Sequence, residues 1–315
     1  MVTITNLITK KTSTSGNNGA NGARMTSSIT KNAHYGLLFG KVENGTVNVN
    51  KSPADGLYID FNFGGNTVGT AGGLVGLANG LNLNADNAGT IVDLKLTNHQ
   101  AIGGLIGSTT SNQSTIKNFD VQFEVNGESA DFSASNFGGM ICSVAGGSIT
   151  FDSCTIKENE SSKGLKISML DKGGYYGLLA SSITSGSLTL SNSTLTIGGV
   201  YTVGYKAEYE NSDNDLTQGF GGFVGLMSGG SLNITSAQTA FAPKLASYTC
   251  ANLGGIVGKY VRETADEKDA LIKIESLGEG IQLKGVKNVG GVVGYTTTNV
   301  NFDSLNNYMT NKTKI

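Results

Sequence analysis

Proline, tryptophan and arginine are almost absent from this sequence, and each scarcity limits what the chain can be. The 315 residues include two prolines, two arginines and no tryptophan. Because proline lacks an N–H and interrupts strand ladders, its scarcity favours a continuously hydrogen-bonded sheet. The net charge is −2, from 22 Lys and Arg against 24 Asp and Glu. We therefore expect no nucleic-acid partner and no binding to an anionic membrane surface.

Long apolar runs and long helical patterns are also missing. No apolar segment is long enough to cross a bilayer, so we expect no transmembrane segment. The best candidate for a helix, ETADEKDA at 263–270, fits an acidic loop better than a helical turn. The chain is therefore predicted to be all-β.

Signatures of catalysis are lacking as well. There is no H-E-x-x-H motif and no Ser-His-Asp signature, and His34 and His99 have no acidic residue close by in sequence. The acidic residues are dispersed, among them Asp60, Asp93, Asp120, Glu124, Asp152, Asp171, Glu208 and Glu210. We predict no catalytic residue, no metal and no cofactor. A polysaccharide-degrading β-helix enzyme with converging carboxylates is the alternative.

The three cysteines, Cys142, Cys154 and Cys250, are an odd set without the spacing of metal ligands. A Cys142–Cys154 disulfide is one reading, and free buried thiols are the favoured one.

Glycine, by contrast, is abundant, with 46 residues, and it recurs in a five-residue signature. The signature is a small or aromatic residue, then Gly, two apolar residues and a small one. The steps between copies range from 31 to 45 residues. The eight copies are YGLLF (35–39), GGLVG (72–76), GGLIG (103–107), GGMIC (138–142), YGLLA (176–180), GGFVG (221–225), GGIVG (254–258) and GGVVG (290–294).

One copy lies in GFGGFVG (219–225), which has the glycine density of a phosphate-binding loop. A phosphate loop occurs once in a domain and needs a following Lys-Ser/Thr pair or an amphipathic helix, and neither follows Gly225. Eight copies instead indicate architecture, with glycine at positions of positive φ or close backbone approach.

Two further strand-like runs follow each signature, such as GSLTL (186–190) and TLTI (194–197). Their period-2 alternation gives each strand an apolar and a polar face, and only stacked units can bury the apolar faces. The sequence therefore predicts a right-handed parallel β-helix, or β-solenoid, of about eight coils with three short strands in each. The threonines look scattered, without the repeated T-x-T column that an ice-binding surface needs.

The GG-[LIVFM]-[LIV]-G signature, followed by a turn and a G-[ST]-[IVL]-x-[IVLF] strand, resembles the GLUG repeats. These repeats occur in large secreted bacterial surface proteins, including adhesin-like proteins and non-catalytic regions of immunoglobulin A-cleaving metalloproteases. The resemblance covers the chain from about Tyr35 onward. It implies a parallel β-helix and an extracellular or cell-surface location, and says little about a ligand.

Two regions make up the predicted domain organisation. Residues 1–30 are expected to be a flexible or loosely attached segment, and residues 31–315 the β-helix repeat domain. The start lacks the apolar core of a signal peptide and the end lacks a capping helix. We therefore expect an internal fragment, with further β-helix or other domains of the same protein beyond it.

The 45-residue step between Gly177 and Gly222 contains an insertion at 203–220. Insertions in repeat proteins often carry binding, and tyrosines beside carboxylates suit contacts with a sugar or a protein. The candidate binding residues are Tyr205, Tyr209, Glu210, Asp213, Asp215 and Phe220. A solvated loop and a calcium site at Asp213 and Asp215 are the other readings.

The leading hypothesis is a non-catalytic, surface-exposed stalk or adhesin-like segment that binds a glycan or a host or partner protein. The alternatives are the polysaccharide-degrading lyase or glycoside hydrolase named above and a phage tail-spike-like protein.

Overall fold

The computed structural model describes strands and turns through most of the chain. The described residues are 1–5, 23–25, 33–50, 57–61, 69–86, 90–96, 99–123, 130–157, 165–169, 173–205, 217–238, 240–247, 250–262, 271–275, 277, 281–285 and 287–303. These residues contain 31 β-strands and no helix. The described strands pair in parallel and form three sheets, so the predicted all-β parallel solenoid is confirmed.

Sheet 1 has 13 strands. In each repeat, one of these strands begins at the fourth or fifth residue of the signature. Its strands are β1 (Val2–Thr5), β4 (Phe39–Asn50), β7 (Val75–Ala85), β10 (Ile106–Thr109), β11 (Gln113–Lys117), β14 (Ile141–Asp152), β18 (Ala180–Ser191), β22 (Val224–Met227), β23 (Ser231–Ile234), β26 (Val257–Tyr260), β27 (Leu271–Ile274), β30 (Val293–Thr296) and β31 (Asn301–Asp303).

Sheet 2 has the fewest strands of the three sheets, six. They are β2 (Ala23–Met25), β5 (Leu57–Phe61), β8 (Thr90–Leu96), β12 (Phe119–Phe123), β15 (Thr155–Lys157) and β19 (Thr194–Thr196).

Sheet 3 has 12 strands and leads back into sheet 1 through the signature turns. Its strands are β3 (Ala33–Tyr35), β6 (Gly69–Gly72), β9 (His99–Gly103), β13 (Ala130–Gly138), β16 (Leu165–Met169), β17 (Gly174–Gly177), β20 (Val200–Tyr205), β21 (Gln218–Gly221), β24 (Lys244–Ser247), β25 (Asn252–Gly254), β28 (Gln282–Lys284) and β29 (Asn288–Gly290).

The chain passes from sheet 1 to sheet 2 to sheet 3 and back, as in β7, β8 and β9, for about five turns. The eight coils expected from the sequence are more than the structure shows. Sheet 2 ends at β19, and in the described residues beyond it only isolated bridges follow, at Ile197–Phe241 and Gln238–Leu277. As far as the structure describes them, the later repeats therefore continue sheets 1 and 3 without a strand in sheet 2.

The eight signatures nevertheless stack in one column. The fourth or fifth signature residues pair in the order Phe39, Val75, Ile106, Ile141, Ala180, Val224, Val257 and Val293. Neighbouring strands of a sheet lie about 4.8 Å apart, so each signature continues the ladder of the one before it.

Close backbone approach explains the signature glycines. A Cβ at Gly225 would collide with the backbone nitrogen of Tyr176, and one at Gly107 with the carbonyl oxygen of Gly76. No signature glycine has a positive φ. Positive φ occurs instead at a bend in sheet 1, where Gly147 in β14, Gly186 in β18 and Gly230 between β22 and β23 lie above one another.

The core is formed by the inward side chains of all three sheets. Phe223 of a signature contacts Phe241 with ring centroids 4.5 Å apart, and both are almost fully buried. Two strands of the segment 1–30 also belong to the solenoid, because β1 pairs with β4 and β2 pairs with β5. The rest of that segment lies outside the described residues.

Candidate functional site

A regular polar surface lies on the outer side of sheet 1, beyond its bend. Strand alternation produces it: Leu81 and Leu83 are fully buried, whereas Asn82 between them is exposed. The same alternation holds in the neighbouring strands. We name this surface the polar face and define it by Thr46, Asn48, Asn82, Asn84, Thr115, Lys117, Thr150, Asp152, Thr189, Ser191 and Asn233.

A middle column runs across six strands of the polar face. Backbone register aligns, in order, Thr46, Asn82, Thr115, Thr150, Thr189 and Asn233. The hydroxyls of Thr115, Thr150 and Thr189 make no hydrogen bond within the described part of the chain. They are therefore available to water or to a ligand.

An outer column lies beside the middle one and consists of Asn48, Asn84, Lys117, Asp152 and Ser191. Asn84 Nδ2 donates to Asn48 Oδ1 at 3.3 Å, and Lys117 Nζ lies 3.1 Å from Asp152 Oδ2. The column thus begins with amides and continues with an ion pair whose charges cancel.

Asp152 is the acidic group of the polar face. Its Oδ1 accepts a hydrogen bond from Asn192 Nδ2 at 2.9 Å and a longer one from the Ser153 hydroxyl at 3.4 Å. The hydrogen bond from Asn192, together with the Lys117 ammonium, holds the pKa of Asp152 below its ordinary value, against the opposing effect of partial burial. The carboxylate is therefore ionised near neutral pH.

An open depression of about 300 Å³ lies at the amide end of the polar face. Asn48, Asn50, Asn84, Ala85 and Asp86 line it. Amide groups supply both donors and acceptors, so this end of the face can hydrogen-bond hydroxyl or amide groups of a ligand.

Left-handed turn residues fix the border between sheets 1 and 2, next to the polar face. Asn118, Ser153 and Asn192 have φ values of 66°, 55° and 48°. Asparagine tolerates this region because its side chain can hydrogen-bond locally, and Asn118 Nδ2 donates to the Ala85 carbonyl at 2.8 Å. The turns hold successive strands in register, so the spacing of the polar face is set by the backbone.

The insertion predicted as the binding site falls mainly outside the described residues. Tyr209, Glu210, Asp213 and Asp215 lie outside them, and Tyr205 is the last residue of β20, in register with Met169. Their role in binding stays a prediction.

Phe220 requires a correction. It lies in β21 between Tyr176 and Leu253 of the adjacent strands, and its side chain is 1% exposed. It follows the insertion in sequence but belongs to the core, so it cannot contact a ligand at the surface.

Several other polar residues named from the sequence make contacts within the fold. Asp120 is buried and forms an ion pair with Lys157 on sheet 2. His34 Nδ1 lies 3.0 Å from Thr70 Oγ1, and burial, together with the charge of Lys41, lowers the His34 pKa. Within the described ranges, no group of three His, Cys, Asp or Glu residues is arranged to hold a metal ion.

The three cysteines are buried and free, so the reading as unpaired thiols is confirmed and Cys142 and Cys154 form no disulfide. Burial raises the pKa of each thiol to about 12. Neutral buried thiols are poor nucleophiles, so these cysteines act as small core residues.

The middle column was missed at the level of sequence. Threonines described as scattered form a column with one threonine in each of three successive strands, although not a T-x-T pattern. Aligning each strand on the glycine or polar turn before it could have shown the match between QSTI (113–116), SITF (148–151) and SLTL (187–190).

No helix in the described part of the chain is long and apolar enough to cross a membrane. No protein family, no curated protein and no solved structure gives a significant match to this chain.

Proposed function

We propose that this chain is a non-catalytic interaction segment of a larger secreted bacterial surface protein, and that it binds a glycan or a partner protein. In this proposal the eight signatures are GLUG repeats, and the solenoid is right-handed with about eight coils. The observation that carries the proposal is the polar face. Its hydroxyl and amide groups are aligned by backbone register over six strands.

Rigidity supports a binding role for this face. Side chains on the strands of a continuous sheet are held in place before the ligand arrives, so binding costs little conformational entropy. The hydroxyls of Thr115, Thr150 and Thr189 make no hydrogen bond among the described residues, so they can bond to a ligand without first breaking such a bond.

A screen for binding to glycans and host proteins tests the proposal, with a parallel assay for reducing-end release. The purified chain should bind at least one ligand and release no reducing ends. Asn84→Ala combined with Thr150→Ala should weaken that binding, because both side chains face outward on the polar face. Thr194→Ala, an exposed threonine on sheet 2, is the matched control and should bind as the unmodified protein does.

The insertion is the competing location for the same function. Tyr205→Ser combined with Tyr209→Ser should abolish binding if the insertion carries specificity, since tyrosines give large contact faces at low entropy cost. If this variant loses binding and the Asn84→Ala, Thr150→Ala variant keeps it, the binding site lies in the insertion and the proposed function is unchanged. Cleavage of a polysaccharide would instead support the alternative enzyme, and absence of any ligand would contradict the interaction role.

A further inference from the structure

The middle column repeats one kind of chemistry on successive strands. From Thr46 to Asn233 every position is a hydroxyl or an amide, and the charged Lys273 is the next residue in register. Five strand spacings of about 4.8 Å make this uncharged column about 24 Å long. A ligand that fills it must therefore be extended and must repeat at nearly the strand spacing.

Threonine offers two kinds of contact at each of the central strands. Its hydroxyl donates and accepts hydrogen bonds, and its methyl group provides a small apolar surface. The central hydroxyls, those of Thr115, Thr150 and Thr189, are not used within the described part of the protein. A sugar ring matches this pair of contacts, because it carries hydroxyls at its edge and C–H groups on its faces.

We propose that the polar face binds a neutral, linear polysaccharide that lies along the solenoid axis, with one sugar unit over each strand of the middle column. An extended pyranose unit advances along its chain by nearly the distance between neighbouring strands. The inference rests on the proposed function and names the ligand class for the same face.

The charges of the face favour a neutral ligand. Lys117 and Asp152, the charged groups of the outer column, form an ion pair with each other. A polyuronate would bring one carboxylate for each sugar, and the six positions of the middle column offer no cation to meet them. Desolvating an unpaired carboxylate costs free energy, so the face should discriminate against such polymers.

Oligosaccharides of defined length test the axial arrangement. We would titrate the whole chain with neutral β-1,4-linked oligomers of glucose, xylose and N-acetylglucosamine, from disaccharide to hexasaccharide, and measure Kd by calorimetry. In at least one series Kd should fall with each added unit, because each sugar reaches one further strand.

A triple substitution tests the residues. Thr115→Val, Thr150→Val and Thr189→Val together remove three hydroxyls but keep the shape and strand propensity of the side chains. Binding of the hexasaccharide should weaken about tenfold or more, from the loss of three hydrogen bonds. Thr155→Val, Thr194→Val and Thr196→Val on the outer side of sheet 2 form the matched control, which should leave Kd unchanged.

Three results would overturn the inference: a hexasaccharide bound no more tightly than a disaccharide, unchanged binding in the Thr115, Thr150 and Thr189 variant, or tighter binding of an oligogalacturonate of equal length. If no neutral series binds but the wider screen finds a protein ligand at the polar face, the inference is wrong and the proposed function stands. If the wider screen finds no ligand of any class, both are wrong.

Discussion

Single residues in this fold are placed by strand alternation, and a misplaced charge should therefore be costly. Val224 is fully buried in the signature column, between Ala180 and Val257 on the neighbouring strands. Replacing it with aspartate would bury a carboxylate without a partner. We expect Val224→Asp to lower the free energy of unfolding by about 3 kcal/mol or more, measured by urea denaturation.

Val200→Asp is the matched control, because Val200 is also a strand valine but is 45% exposed. It should change stability by about 0.5 kcal/mol or less, as most surface substitutions do. Equal effects of the two substitutions would contradict the assignment of inside and outside in these strands.

Asp152 should make the stability of the protein depend on acid pH. Its pKa is lowered in the folded state, first by the hydrogen bond from Asn192 and then by Lys117. A lowered folded pKa stabilises the protein above the unfolded value of about 3.9, and this contribution is lost as pH falls through the folded pKa. Asp152→Asn should therefore lower Tm at pH 7, and the difference from the unmodified protein should shrink below about pH 4.

Asn192→Ala should reproduce part of this pH dependence, since it removes the largest cause of the shift, whereas Asn233→Ala on the same face should not. A Tm difference that is constant from neutral to acid pH would show that Asp152 acts through packing alone.

The sequence could identify the inward residues but not the border of an insertion. Val224 lies within an eightfold repeat, so its place in the core follows from the pattern. Phe220 lies just before a signature and just after an irregular segment, and the pattern does not show where the irregular segment ends. Its burial depends on the pairing of β21 with β17 and β25, which are distant in sequence.

At the scale of elements, the signature turn depends on the absence of side chains. Gly225 packs its backbone against Tyr176, where a Cβ has no room. We expect Gly225→Ala to destabilise the fold by about 1–3 kcal/mol, as overpacking does, and to lower Tm in thermal unfolding.

Gly198 provides the matched control for that substitution. A Cβ added there meets nothing within 4 Å, and Gly198 has no positive φ. Gly198→Ala should be neutral or slightly stabilising, because alanine restricts the unfolded chain. A similar loss of stability in both variants would contradict the role of close backbone approach at Gly225. It would indicate that Gly225 and Gly198 are glycine for the same conformational reason.

The sequence shows that the glycines repeat, but it does not show which structural requirement selects glycine at each position. Both positive φ and close approach select glycine, and one-dimensional spacing does not separate them. The structure assigns close approach to the signatures and positive φ to the bend at Gly147, Gly186 and Gly230. The same bend aligns the strands that follow it, which is why the middle column was visible only once strand register was known.

At the scale of the whole molecule, the repeat period of the sequence predicted that the signatures stack. It did not predict the number of complete turns. The signatures fix the ladder in sheets 1 and 3, and all eight copies stack. A complete turn also needs a strand in sheet 2, and the strand-like runs of the sequence do not show which sheet each run will join. Among the described residues sheet 2 ends at β19, and the structure shows about five turns.

A stacked solenoid should also lose structure from its ends, because each unit contacts only its neighbours. The apolar residues of the end signatures, such as Leu38 and Val293, are only partly buried, whereas Leu105 and Phe223 in central signatures are fully buried. In hydrogen exchange of the whole chain, the Leu38 amide, which donates to the Leu74 carbonyl at 2.9 Å, should exchange by local opening at a rate nearly independent of denaturant. The Leu105 amide donates to the Met140 carbonyl at 2.8 Å and should exchange only through larger openings that denaturant promotes. Equal protection and equal denaturant dependence at the two sites would contradict sequential fraying and indicate that the solenoid unfolds as one cooperative unit.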